Sequence, residues 1–292
     1  MKQVSLSGLI LLLLSVAPVN AEHAHEYQFG IFPYLPPQRI DAIWSPLANY
    51  LTEEVSARVD VRTRFEYSQF RHAIKEELFD IAYIQPFAYV EIAREHDYIP
   101  LARWVSKFDI HREGKLAGIF IVLAESPISR LSDINNGIVA MPPELAAVSQ
   151  LGIATLIEHE MLDADHGLSI SYQRNHFSCL QQLLIKKAIT CVAAIPAMIQ
   201  FENKLGARLR VIATTRKIPS SLLVVHKRVP VSKRKLILKK LLELEKNKVG
   251  QEFLNKAGLS GFIKTTDSDY DEVRTIYDEV RTIFETYKQK NN

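Results

Sequence analysis

The most suggestive residues in this chain are aromatic and polar side chains that follow successive apolar segments. Tyr34 comes after residues 27–32, beside Pro33, Pro36 and Pro37. Tyr67 comes after residues 58–65, and Gln85, Pro86 and Tyr89 come after residues 80–84. Each of those segments is short, apolar and patterned like a strand. In an open parallel sheet, ligands bind beyond the carboxyl ends of the strands. Tyr34, Tyr67, Gln85 and Tyr89 would then stand along one sheet edge. Helix N-termini arrive at the same edge, and their free N–H groups favour an anion. A single loop tyrosine usually only packs. Several at successive strand ends point to a binding site.

Catalytic signatures are missing from the sequence. It has no glycine-rich nucleotide loop, no Gly-x-Ser-x-Gly elbow, no His-Glu-x-x-His and no Cys-x-x-Cys. Glu158, His159 and Glu160 cluster, but adjacent residues on a helix point apart and do not form one metal site. His23 and His25 lie in an N-terminal stretch that reads as a tail rather than a metal site. The reading is therefore a binding protein, not an enzyme, with no cofactor and no metal.

The elements that must position these residues alternate along the chain. Residues 27–32, 58–65, 80–84 and 99–104 read as strands. Residues 38–55, 68–77 and 86–95 read as helices between them. This order predicts an α/β fold with a largely parallel sheet. A second unit begins near Lys107. It has strand patterns at 116–124, 138–141, 168–172 and 190–195, and helix patterns at 145–159, 176–187 and 196–204. Strand patterns follow at 208–213 and 221–226, and the last of these returns the chain to the first unit. The predicted division is 22–106 with 215–292 for lobe 1, and 107–214 for lobe 2.

The C-terminal part reads as helical. Residues 232–247 form an amphipathic, lysine-rich pattern, taken as a solvated face with leucines packed inward. The heptad Tyr270 to Ile276 repeats at Tyr277 to Ile283, so Val273, Ile276, Val280 and Ile283 form a seam. Packing on the chain's own body is its first expected use, and a weak homodimer contact its second.

The first residues set the compartment. Lys2 precedes an apolar run from Leu6 to Ala17, broken at Pro18 and followed by Val19-Asn20-Ala21. That is the pattern of a cleaved signal peptide over residues 1–21. The run is shorter than the ~20 residues of a membrane span. Export to the periplasm as a soluble chain starting at Glu22 is expected. Cleavage would leave 292 − 21 = 271 residues and lower the formal charge from +3 to +2. Such a balance argues against a nucleic-acid partner. Cys179 and Cys191 are expected to be free, buried thiols. About 12 Å of helix rise separates Cys179 from the predicted helix end, and a bridge needs Cα atoms within about 7 Å.

Several runs carry a family resemblance. They are Phe29-Gly30-Ile31-Phe32-Pro33-Tyr34, then Trp44-Ser45-Pro46-Leu47 with Tyr50-Leu51, then Tyr67, and then Asp80-Ile81-Ala82-Tyr83-Ile84-Gln85-Pro86 with Tyr89. Looser matches follow at residues 131–137, Asn175-His176, residues 190–195 and Ile218-Pro219. In these the sequence resembles the phosphonate-binding-protein family of ABC-transporter solute receptors, of the phosphate, phosphite and phosphonate type. The resemblance covers essentially the whole chain after the leader. It implies a two-lobed type II periplasmic binding protein with a ligand cleft between the lobes. It implies Tyr34, Tyr67, Gln85 and Tyr89 on the first wall, and His176 with Ser149 on the second. A small-molecule ligand and a membrane permease are the implied partners, with a membrane sensor protein as the alternative. The family's phosphonate-binding members carry a Ser-Thr-Ser-Gly run at the start of a second-lobe helix, where it holds the phosphoryl oxygens. Here that place reads Ala146-Ala147-Val148-Ser149. The family also tends to have an aspartate where Thr190 stands. The resemblance therefore implies the scaffold, and these departures speak against a phosphonate ligand.

Overall fold

The computed structural model describes residues 26–162 and 166–291, with side chains as far as Ile283. The expected leader and His23 and His25 lie outside the described residues. The chain opens with strand β1 (Glu26–Ile31), helix α1 (Pro37–Val55), β2 (Arg58–Arg62), α2 (Tyr67–Lys75), β3 (Ile81–Ile84) and the short α3 (Pro86–Ala88). A π-helical turn at Tyr89–Ala93 and β4 (Tyr98–Ser106) complete this run. Next come β5 (Lys115–Leu116), β6 (Ile119–Leu123), β7 (Gly137–Met141), α4 (Ala147–Glu158), β8 (Leu168–Tyr172), α5 (His176–Leu184), β9 (Thr190–Ala193), α6 (Ile195–Leu205) and β10 (Leu209–Thr214). The chain ends through β11 (Ile218–Pro219), β12 (Leu222–His226), α7 (Val231–Leu242), α8 (Lys248–Ala257), β13 (Leu259–Lys264) and α9 (Asp271–Asn291).

Local sequence explains the elements that carry the site. In β1, Tyr27, Phe29 and Ile31 alternate inward and are buried. Gly30 between them is required by packing, because a Cβ there would lie 2.5 Å from the Phe79 ring. Helix α1 starts with Pro37, whose missing N–H costs nothing at that position. Its buried stripe, Ile40, Trp44, Leu47, Ala48, Leu51 and Val55, follows the helical period.

The strands form two main sheets. One has the order β13-β4-β12-β3-β1-β2, the other β10-β6-β9-β7-β8. The expected largely parallel sheet is corrected to mixed sheets. β1 pairs with β2 and β3 in parallel, but β12 enters antiparallel between β3 and β4. The reason lies in the connectivity. The chain leaves the first sheet after β4, builds the second, and comes back from the opposite direction. A two-stranded ladder of β5 and β11 ties the outgoing and returning segments together.

Two helix boundaries also differ from expectation. The predicted helix over 86–95 is three α-helical residues followed by the π-helical turn. The predicted helix over 232–247 stops at Leu242, and α8 and β13 follow where only helix was expected. The seam of α9 packs on α4, α3 and the π-helical turn, so it touches both α/β units. Val273, Ile276 and Val280 are buried there, while Ile283 is exposed. The expected homodimer contact thus finds no support in a seam already used within the monomer. Arg216 strengthens the arrangement by pairing with Glu158 of α4 and, at 3.2 Å, with Glu279 of α9.

Cys179 and Cys191 are joined in a disulfide, with Cα atoms 6.0 Å apart. This overturns the expected free thiols. Helix α5 ends sooner than predicted, at Leu184, and β9 runs back alongside it. The returning strand retraces the helix rise that was expected to separate the sulfurs. Under denaturing, non-reducing conditions neither cysteine is expected to react with an alkylating reagent until reductant is added. For a closed loop of this length, reduction should lower stability by about 3 kcal/mol, measurable by urea denaturation. Full alkylation without reductant would refute the bridge.

Candidate ligand-binding site

The carboxyl end of β1 delivers Phe32, Pro33 and Tyr34 into an aromatic cluster. Phe32 lies 5.1 Å from Tyr83 and 5.2 Å from Tyr34, and Trp44 lies 4.4 Å from Tyr83. The Trp44 indole N–H donates to the Tyr34 hydroxyl at 2.8 Å. Trp44 is buried, whereas Tyr34 keeps 39% of its surface exposed. Tyr34 is therefore fixed from beneath and open above. Tyr83 stands behind it with its hydroxyl near Ser221 and Trp104, and burial raises its pKa well above the ordinary value. A neutral phenol is what that site offers. Tyr83, Trp44 and Trp104 were not among the candidate residues. The alternation of β3 gives no hint of a polar use for Tyr83, because all four of its residues are buried.

Gln85 stands at the N-cap position of α3, at the end of β3, without a side-chain capping bond. Its Oε1 accepts the N–H of Ala147, the first residue of α4, at 3.1 Å. This bond joins an element of the first sheet to one of the second. Tyr67 and Tyr89 turn elsewhere. The Tyr89 hydroxyl donates to Asp267 at 2.5 Å, and its ring meets Tyr270 edge-on at 5.2 Å. The Tyr67 hydroxyl is enclosed without a hydrogen-bond partner among the described residues. It neighbours the Arg71–Glu91 pair, which also neighbours Tyr277 of α9. Tyr34 and Gln85 thus share the strand-edge region, while Tyr67 and Tyr89 lie towards the C-terminal helix.

The start of α4, expected to form the second wall, lies across from Gln85. Here Ser149 is fully buried, and its hydroxyl donates to the Pro142 carbonyl at 3.1 Å. The N–H groups of Ser149 and Gln150 both donate to the Ala146 carbonyl, at 2.9 and 3.1 Å. The Gln150 side chain reaches the Glu144 carbonyl at 2.7 Å. Thr190 is also fully buried and donates to the Ile121 carbonyl at 3.0 Å. His176 follows the Asn175 cap of α5. Its Nδ1 accepts the Ala194 N–H at 3.4 Å, and burial pushes its pKa down to about 4. The imidazole is therefore neutral near pH 7 and supplies no positive charge. It forms no hydrogen bond with Tyr34, Tyr67, Gln85 or Tyr89.

Two surface grooves lie apart from this region. One, of about 920 Å³, runs between the π-helical turn and α9, with Lys75, Glu91, Arg94, Arg274 and Arg281 on its walls. The other, of about 580 Å³, lies along α2 by Arg64, Ser68 and His72. Among the described residues, no group of three or more His, Cys, Asp or Glu side chains could hold a metal ion. No helix among them is long and apolar enough to cross a membrane.

Two mixed sheets joined by two crossings, with strand ends facing a helix start, define a two-lobed periplasmic binding protein. Comparison with solved structures agrees. The binding-protein component of an ABC phosphonate transporter from Pseudomonas aeruginosa superposes with a TM-score of 0.71 at 15% identity, over 92% of this chain and 89% of that one. PhnD1 from Prochlorococcus marinus, solved with methylphosphonate, gives 0.74 at 14% identity, over 88% and 99%. A Xanthomonas citri protein solved with ATP gives 0.72 at 13% identity, over 88% and 98%. No curated protein matches the sequence. The family model for the phosphonate periplasmic substrate-binding protein of ABC transporters matches residues 29–270, and the chain belongs to that family. It is a solute-binding protein that delivers a small ligand to a membrane permease. Family membership carries this transport role rather than the sensing alternative.

Proposed function

We propose that the solute carried by this protein is a small polar molecule of low charge, not a phosphoryl dianion. The observation that carries this reading is the start of α4. Methyl groups stand at Ala146 and Ala147, the Ala147 N–H is held by Gln85, and the Ser149 hydroxyl is held by Pro142. His176 is neutral and adds no compensating charge. The Tyr34 ring remains exposed above the aromatic cluster, a surface suited to an uncharged ligand face. Lobe boundaries at residues 106 and 214 belong to the same proposal, supported by the ends of β4 and β10. Closure would turn about the β5–β11 ladder, where Ser220 donates to the Trp104 carbonyl at 2.6 Å. Residues 1–21 act as the export leader. Native mass spectrometry of protein purified from the periplasm tests the whole reading. The expected species begins at Glu22 and carries one small solute without phosphorus. A co-purified phosphonate, or a retained leader, would contradict the corresponding part.

A further inference from the structure

We infer that Gln85 is a specificity-determining residue: its carboxamide oxygen takes the first amide of α4 and so competes with oxyanions for the helix start. This rests on the low-charge reading above and gives it a named cause. The Ala147 N–H is the first donor of α4, and Gln85 reaches it from the other α/β unit at 3.1 Å. Of the donors that follow, Ser149 and Gln150 turn their N–H groups back on Ala146, so the Val148 N–H alone would remain for an anion beside the Gln85 oxygen. An incoming anion must displace a neutral acceptor already in place. The same bond fixes the orientation of the carboxamide. With Oε1 on the Ala147 N–H, the two Nε2 hydrogens have no partner among the described residues and serve as donors. A ligand that meets Gln85 is therefore one that presents an acceptor, such as a carbonyl or hydroxyl oxygen, at little electrostatic cost. Gln85 is half-buried at a helix start, so shortening it leaves the core intact.

The test is calorimetry with inorganic phosphate and methylphosphonate on the wild-type protein, Gln85→Ala, Gln85→Ser and Gln85→Glu, with thermal melts to confirm folding. Gln85→Ala should bind both anions at least tenfold more tightly than wild type, and Gln85→Ser should follow it should the alanine variant melt early. Gln85→Glu retains an acceptor for Ala147 and adds negative charge, so it should show no gain. Weak binding by wild type with no gain in either truncated variant would overturn the role of Gln85 and leave the low-charge reading standing. A gain in Gln85→Glu equal to that in Gln85→Ala would also overturn it. Micromolar binding by wild type would overturn both.

Discussion

Phosphate, phosphite and simple alkylphosphonates are expected to bind the wild-type protein more weakly than about 1 mM, a free energy of only about −4 kcal/mol. A phosphoryl group entering a closed cleft exchanges water for protein donors. Each charge-assisted hydrogen bond is worth roughly 1.5–3 kcal/mol. Absence of two or three such donors costs on the order of 3–9 kcal/mol when nothing replaces them. Side chains at positions 146 and 147 end at methyl groups here. Ser149 retains its hydroxyl but holds Pro142 with it, and Thr190 holds Ile121. The neutral His176 adds no charge to attract the anion. Electrostatic compensation would have to come from elsewhere in the cleft. Calorimetry with a series of these anions measures the outcome directly. Micromolar affinity for any one of them would return the protein to the ligand class of its family.

Much of this argument could be read from the sequence, and the reasons are local. The alanines replacing a hydroxyl run are visible without a structure, because the helix pattern after Met141 places them at a helix start. The alternation in β1 and the stripe of α1 are periodic, so both elements were placed within a residue or two. What could not be read depends on long-range pairing. The Gln85–Ala147 bond joins residues 62 positions apart. Position after a strand groups Tyr89 with Tyr34, but its partner Asp267 lies 178 positions away. The disulfide is hidden in the sequence for a related reason. Rise along the helix separates Cys179 from the helix end, but the strand that returns from there brings Cys191 back beside it. The π-helical turn at Tyr89–Ala93 has no periodic signature over five residues, so in the sequence it is indistinguishable from the preceding helix.

Replacing Trp44 by alanine is expected to lower the stability of the folded protein by about 3–5 kcal/mol, the usual cost of deleting a buried aromatic ring. The residue is 1% exposed on the inner stripe of α1. Its ring contacts Phe29 at 5.7 Å, Tyr83 at 4.4 Å and Phe253 at 5.2 Å, so it joins β1, β3 and α8 through one side chain. Aromatic edge contacts of this kind add about 0.5–1.5 kcal/mol beyond area burial. The loss would be a large fraction of the roughly 5–15 kcal/mol that separates folded from unfolded states. Function should suffer separately from stability. Without the indole N–H, the Tyr34 hydroxyl loses the donor that fixes it, and the exposed ring above the cluster gains freedom. Trp44→Phe separates the two effects: it fills most of the cavity and removes the same hydrogen bond. Urea denaturation should place Trp44→Phe within about 2 kcal/mol of wild type, because the phenyl ring keeps most of the buried aromatic bulk and leaves only a small cavity. Ligand affinity should nevertheless fall in Trp44→Phe, measured with the solute that co-purifies. Unchanged affinity in that variant would show that the anchoring of Tyr34 is structural alone, and a loss below about 2 kcal/mol in Trp44→Ala would show that the aromatic cluster is not the centre of this core.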